Sequence, residues 1–62
     1  MATWIIEETE DGFDILRNAR AWRYEVDDED EAIDAITRSY EYEGHDHIWL
    51  EDINGSRQRI EL

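Results

Sequence analysis

The chain has 62 residues, with 18 Asp and Glu against 6 basic residues, all Arg, and a formal net charge of −12. This charge argues against direct binding to nucleic acid or to an anionic membrane, because both are polyanions. The absence of Cys excludes a disulfide framework and a Cys-ligated zinc site, and it favours a reducing cytoplasm. The length predicts one domain, residues 1–62, with a small core.

The first predicted element is a β-hairpin in TWIIEETEDGFDIL, residues 3–16. Asp11-Gly12 is a strong signal for a two-residue type I′ turn between two alternating runs. That turn places Ile6 opposite Arg17 and Trp4 opposite Ala19. The period-2 rule predicts a core face of Trp4, Ile6, Phe13 and Ile15, with Ile5 and Leu16 on the other face.

The next segment, NAR at residues 18–20, is a candidate bend, and AWRYEV at 21–26 continues as strand. It either extends the second strand or forms a third one. The pattern of residues 27–44 then predicts a helix, with Asp28 as N-cap and Glu31 completing a capping box. Gly44 is the expected C-terminal stop. One apolar stripe follows from the 3.6 period: Ala32, Ile33, Ile36 and Tyr40.

Residues 47–62 predict a second hairpin around a type I′ turn at Asn54-Gly55. In that register Trp49 faces Ile60. One face is expected to collect Trp49, Ile53, Ile60 and Leu62. Ile48 and Leu50 lie opposite, either buried or available for a weak dimer. The elements sum to an α+β domain, ββ(β)αββ, in which a small antiparallel sheet of two hairpins carries one helix on one face.

The acidic run EVDDEDEAID, residues 25–34, contains seven carboxylates and no cation. Helix capping and the helix dipole explain three or four of them, at about 0.3–1 kcal/mol each. A calcium loop of the EF-hand type needs a Gly at the sharp turn and a Glu at the end, and the run has neither. The remaining interpretation is an interaction surface, in which ordered carboxylates imitate the phosphates of a duplex.

The residues give little support for a metal site or for catalysis. His45 and His47 have the spacing of a weak metal site, but a polar loop before a strand explains them better. Ser39 and Ser56 lack the Gly-x-Ser-x-Gly context of a nucleophile. No apolar pocket for a carboxylate acid–base pair is evident. The sequence therefore predicts no enzyme, no cofactor and no metal site.

Two resemblances bear on function. TWIIEETEDGFDI followed by DEDEAIDAI is similar to the hairpin-then-helix pattern of HicB-type antitoxin cores and of small RNA-polymerase inhibitors of phages. As a small, lysine-free and strongly acidic chain, the protein resembles in type the phage-encoded anti-CRISPR and anti-restriction inhibitors that act as nucleic-acid decoys. That resemblance implies a role as a DNA or RNA mimic.

The sequence thus predicts a non-enzymatic inhibitor that binds the cationic nucleic-acid groove of a host defence complex, such as a Cas effector subunit, in the bacterial cytoplasm. It is expected to act as a monomer or weak dimer, without binding nucleic acid or membrane itself. Two alternatives stay open: an antitoxin-like or regulatory domain, and the general acidity of a halophile's protein. The predicted contact residues form two groups: Asp27, Asp28, Glu29, Asp30, Glu31 and Asp34 in the first, and Glu7, Glu8, Glu10, Asp11 and Asp14 in the second.

Overall fold

The computed structural model describes residues 1–62 and confirms the predicted α+β class: five strands in one sheet with one short helix packed on it. The elements in chain order are β1 (Thr3–Thr9), β2 (Gly12–Arg17), β3 (Arg20–Val26), α1 (Glu29–Thr37), β4 (His47–Glu51) and β5 (Arg57–Arg59). The helix has nine residues, and no helix in the chain is long and apolar enough to cross a lipid bilayer.

The sheet has the strand order β3-β2-β1-β4-β5, so the first strand lies at its centre. Three of the strand pairs are antiparallel, as predicted, but β1 and β4 pair in parallel. The reason lies in the connection: α1 carries the chain back along the sheet, and β4 therefore runs in the same direction as β1. This pairing aligns Trp4 with Ile48 and Glu7 with Glu51.

The predicted register of the first hairpin is wrong by two residues. Ile6 pairs with Ile15 and Thr9 with Gly12, so the loop is Glu10-Asp11, and neither loop residue has a positive φ. Because a shift of two keeps every side chain on its own face, the predicted core face is nevertheless correct. Trp4, Ile6 and Ile15 are fully buried, and Phe13 packs against them.

The type I′ geometry instead occurs in the next turn, which makes β3 a separate strand. Asn18 and Ala19 have φ angles of 50° and 67°, as that turn requires. The turn is fastened to β1, because Asn18 N–H donates to the Thr3 carbonyl at 2.8 Å and its Oδ1 accepts from Thr3 N–H at 3.0 Å.

The predicted register of the second hairpin is wrong by one residue, and this error exchanges the two faces. Trp49 pairs with Arg59 and Glu51 with Arg57, because the loop comprises residues 52–56 rather than Asn54-Gly55 alone. Asp52 Oδ1 holds that wider loop by accepting the N–H groups of Asn54 and Ser56. Two further residues that were predicted to share the face of Trp49, Ile53 and Leu62, are exposed.

The helix is shorter than predicted but begins as predicted. Asp28 is the N-cap, and its side chain accepts the Glu31 N–H at 2.8 Å. The helix ends at Thr37, so Gly44 is not its stop and Tyr40 is fully exposed rather than part of the apolar stripe. Thr37 hydrogen-bonds back to the Ile33 carbonyl, a local contact that competes with helix continuation.

The core lies between α1 and one face of the sheet. Its buried side chains are Ala2, Trp4, Ile6, Ile15, Val26, Ala32, Ile36 and Ile48. Trp4 is central: its ring meets Trp22 edge-on at a centroid distance of 5.0 Å, and the Arg17 guanidinium lies 5.7 Å from it. Ile48 belongs to this core and Leu50 packs against it, so both side chains of this pair face the helix.

Candidate protein-interaction surface

The two acidic segments of the sequence meet at one end of the sheet. β1 ends there, β2 begins there, and β3 arrives there directly before α1. The turn and the helix entry are in backbone contact, because a Cβ added at Gly12 would lie only 2.5 Å from the Val26 carbonyl oxygen. Only glycine permits this approach, and its φ of +143° also disfavours any other residue.

We call this region the acidic end and define it by seven residues: Glu10, Asp11, Asp27, Asp28, Glu29, Asp30 and Glu31. All are exposed except Glu29, which is partly buried. The structure thus unites five of the first predicted group with two of the second. The positive end of the helix dipole stabilises the carboxylates of the first helical turn, so the fold tolerates them there.

The other predicted contact residues lie elsewhere. Asp34 is one turn further along α1 and pairs with Arg38 at 3.1 Å. Glu8 accepts the Ile53 N–H at 3.1 Å and so ties the first hairpin to the β4–β5 loop. Glu7 and Asp14 face each other across β1 and β2, on the sheet face that carries no helix. Glu7, Glu8 and Asp34 are thus separated from the acidic end by position or by an existing contact, whereas Asp14 lines a cleft together with Asp11.

No basic side chain neutralises the acidic end. The ion pairs of the structure are Arg38–Asp34, His45–Glu43, Arg57–Glu51 and Arg59–Glu61, and none involves a residue of the acidic end. Arg17 and Arg20 lie opposite each other across β2 and β3, at the other end of the sheet. The carboxylates of the acidic end therefore have no ion-pair partner, although Arg57 lies beside Glu51 and level with Glu7, and Arg23 and Arg38 line a cleft together with Glu31.

A cleft beside the acidic end adds three side chains that the sequence did not single out. It has a volume of about 420 Å³ and is lined by Thr9, Asp11, Asp14, Tyr24 and Glu25. Glu25 has a φ of 56° at an irregular step in the β2–β3 pairing, and such bulges redirect side chains. The exposed ring of Tyr24 lies next to carboxylates, an arrangement that suits a guanidinium group.

The helix-free face of the sheet carries a second row of carboxylates. Asp14, Glu7 and Glu51 are aligned across β2, β1 and β4, and we call them the acidic row. Burial, a hydrogen bond with Glu51 and the nearby negative charges raise the pKa of Glu7. The pKa of Glu51 is lowered, chiefly by the Arg57 guanidinium, whose Nε lies 2.7 Å away. Sequence reasoning missed Glu51 because no local pattern announces the parallel pairing with β1.

The segment around the two histidines fixes the start of β1 to the loop before β4 by hydrogen bonds. Asp46 between them is buried and accepts three hydrogen bonds, from Ala2 N–H at 2.8 Å, Trp4 Nε1 at 3.0 Å and Glu43 N–H at 3.0 Å. Burial alone would raise its pKa, but these donors and the N-terminal charge lower it to about 2. Glu43, His45 and Asp46 bring ligand atoms within 4.8 Å of one another, although hydrogen bonds already occupy the Asp46 carboxylate.

No protein-family model, curated protein or solved structure matches this chain in the comparisons.

Proposed function

We propose that the protein is a non-enzymatic inhibitor that occupies the cationic nucleic-acid groove of another protein. The partner that fits this chemistry is a subunit of a bacterial defence complex, such as a Cas effector, in the host cytoplasm. The observation that carries the proposal is the acidic end, where exposed and unpaired carboxylates from two distant segments form one surface.

The charge density supports imitation of a duplex. The molecule extends 29 Å along its longest axis. A duplex of that length carries about 17 negative charges, at one charge per about 1.7 Å. The chain carries 18 Asp and Glu and a net charge of −12, so its charge per length approaches that of a duplex.

The absence of ion pairs at the acidic end also supports the proposal. An acidic protein whose carboxylates serve only solubility has no need to keep arginines away from them, and pairing would relieve their repulsion. Here no carboxylate of the acidic end forms an ion pair, although Arg23 and Arg38 line a cleft together with Glu31. The arrangement leaves the carboxylates free to meet lysine and arginine side chains of a partner, which would release counterions and bind quickly at low salt.

The test compares two variants that remove equal charge. The first, Asp27→Asn, Asp30→Asn and Glu31→Gln, changes the acidic end; the second, Glu41→Gln, Glu43→Gln and Glu61→Gln, changes acids elsewhere. Each is immobilised, exposed to nuclease-treated bacterial lysate at low salt, and eluted with duplex DNA.

The proposal predicts that the chain and the second variant retain nucleic-acid-binding proteins that duplex DNA displaces, and that the first variant does not. Retention by both variants alike would overturn the acidic end as the contact. Retained proteins that duplex DNA does not displace would point to the antitoxin-like or regulatory alternative.

A further inference from the structure

The helix-free face of the sheet also carries an apolar row. Leu16, Ile5 and Trp49 are aligned across β2, β1 and β4. All three are partly exposed, and none belongs to the core or packs against it. Because α1 covers only the opposite face, this row stays partly exposed to solvent.

The apolar row runs beside the acidic row. Each member of the acidic row is two residues from a member of the apolar row on the same strand, as Ile5 is from Glu7. Two residues of strand separate the rows by about 7 Å, and the strands are about 4.8 Å apart. Across β2, β1 and β4 the helix-free face therefore carries an apolar strip next to an anionic strip, and Arg59 and Arg57 border the two strips on β5.

We propose that this face binds a basic amphipathic helix of the partner protein, an inference that rests on the proposed function and adds a second contact to it. Three side chains in a row across the strands span about 10 Å. Helical residues at i and i+7 are about 10.5 Å apart, so a helix lying across the strands matches the row with its i, i+3 or i+4, and i+7 positions. Its Lys or Arg side chains then meet Asp14 and Glu7, since Arg57 already pairs with Glu51.

Charge complementarity selects this occupant over a second copy of the chain. Two copies face to face would bring two acidic rows together, each on a molecule of net charge −12. A basic helix instead covers the apolar row and neutralises the acidic row in the same contact. It also supplies a cation to Glu7, whose only nearby positive charge is Arg57 on the far side of Glu51.

The experiment uses a synthetic peptide of about 18 residues, long enough for partial helix formation. Its Leu residues recur at i, i+3, i+4 and i+7, and Lys fills the other positions. The control peptide has the same composition, with Leu and Lys permuted so that no face is apolar. Binding is measured at low salt by titration, and backbone amide NMR shifts map the contact.

Two variants locate the site. The face variant replaces Ile5, Leu16 and Trp49 by Thr, which keeps strand propensity and leaves the core intact. The control variant replaces Tyr40, Ile53 and Leu62 by Thr, since these are exposed apolar residues elsewhere. If the face variant does not fold, Leu16→Thr alone is compared with Ile53→Thr.

The inference predicts that the amphipathic peptide binds at least about tenfold more tightly than the permuted one. It should shift the amides of the apolar row, and the face variant should abolish the preference. Equal binding of both peptides, with shifts at the acidic end alone, would overturn the inference and leave the proposed function standing. Failure of both peptides to bind would overturn the inference, whereas the lysate experiment decides the proposed function. Dimerisation of the chain that the face variant abolishes would give the face another occupant and overturn the inference as well.

Discussion

At the residue scale, Asp46 joins the segment after α1 to the first strand. Its carboxylate accepts from the Ala2 backbone and from the Trp4 indole, both buried. Asp46→Asn keeps one acceptor oxygen but turns the other into a donor that faces these N–H groups. We expect a loss of about 1–3 kcal/mol in the free energy of unfolding, measured by urea titration at neutral pH. Glu43→Gln is the control, since Glu43 contributes only its backbone N–H to Asp46. An unchanged midpoint for Asp46→Asn would contradict this assignment.

The same residue predicts part of the acid sensitivity. The pKa of Asp46 is about 2 in the folded chain, below its ordinary value of 3.8. The stabilisation that it supplies is therefore complete above about pH 4 and is lost as the pH falls through about 2. The difference in unfolding free energy between the chain and Asp46→Asn should shrink over that interval. A difference that stays constant between the two pH values would contradict the depressed pKa.

The pKa of Glu7 is shifted in the opposite direction to that of Asp46. Burial and the neighbouring carboxylates raise its pKa, so the folded chain holds this proton more tightly than the unfolded chain. Its ionisation therefore costs stability as the pH rises through and above its ordinary value of 4.5. Glu7→Gln should stabilise the fold at pH 7 by about 0.2–1 kcal/mol, the range for like charges on paired strands. The gain should vanish in acid, and Glu10→Gln in the exposed turn should show a smaller gain than Glu7→Gln at pH 7.

At the scale of elements, the contact between the first turn and the helix entry depends on Gly12. A Cβ there would meet the Val26 carbonyl oxygen, which is backbone and cannot rotate away. We expect Gly12→Ala to cost roughly 1–3 kcal/mol in thermal or urea unfolding, because β2 and β3 must separate locally. Gly44→Ala is the matched control: nothing lies within 4 Å of its added Cβ, and it should be close to neutral. Equal effects would show that the approach of the two segments is not tight.

The elements also show what the sequence can and cannot predict. Alternation placed Trp4, Ile6 and Ile15 on the core face despite a wrong register, because a two-residue shift preserves faces. A one-residue shift in the second hairpin moved Ile60 from the side of Trp49 to the side of Ile48, since turn residues did not reveal the wider loop. The N-cap at Asp28 was predictable from local chemistry.

For the candidate surface, too, local sequence patterns predicted some residues and missed others. Composition and the acidic run predicted the carboxylates of the acidic end, but the parallel pairing of β1 with β4 is a long-range event. For that reason the acidic row, with Glu51, and the apolar row beside it were beyond local patterns. Likewise, Tyr24 and Glu25 line a cleft only because the β2–β3 pairing is irregular there.

At the scale of the whole molecule, the net charge of −12 predicts a measurable response to salt. The unpaired carboxylates of the acidic end repel one another, and salt screens them, with a Debye length of about 10 Å at 0.1 M and about 3 Å at 1 M. The chain should be folded in dilute buffer, because its core of Trp and Ile side chains does not depend on ions, and its melting temperature should rise moderately with NaCl. Circular dichroism melts from dilute buffer to molar NaCl measure this.

The variant Asp27→Asn, Asp30→Asn and Glu31→Gln should show a weaker salt response than Glu41→Gln, Glu43→Gln and Glu61→Gln, since only the first relieves repulsion at the acidic end. A chain that unfolds below molar salt would instead indicate halophilic adaptation, and equal salt responses of the two variants would show that the repulsion is spread over the whole surface.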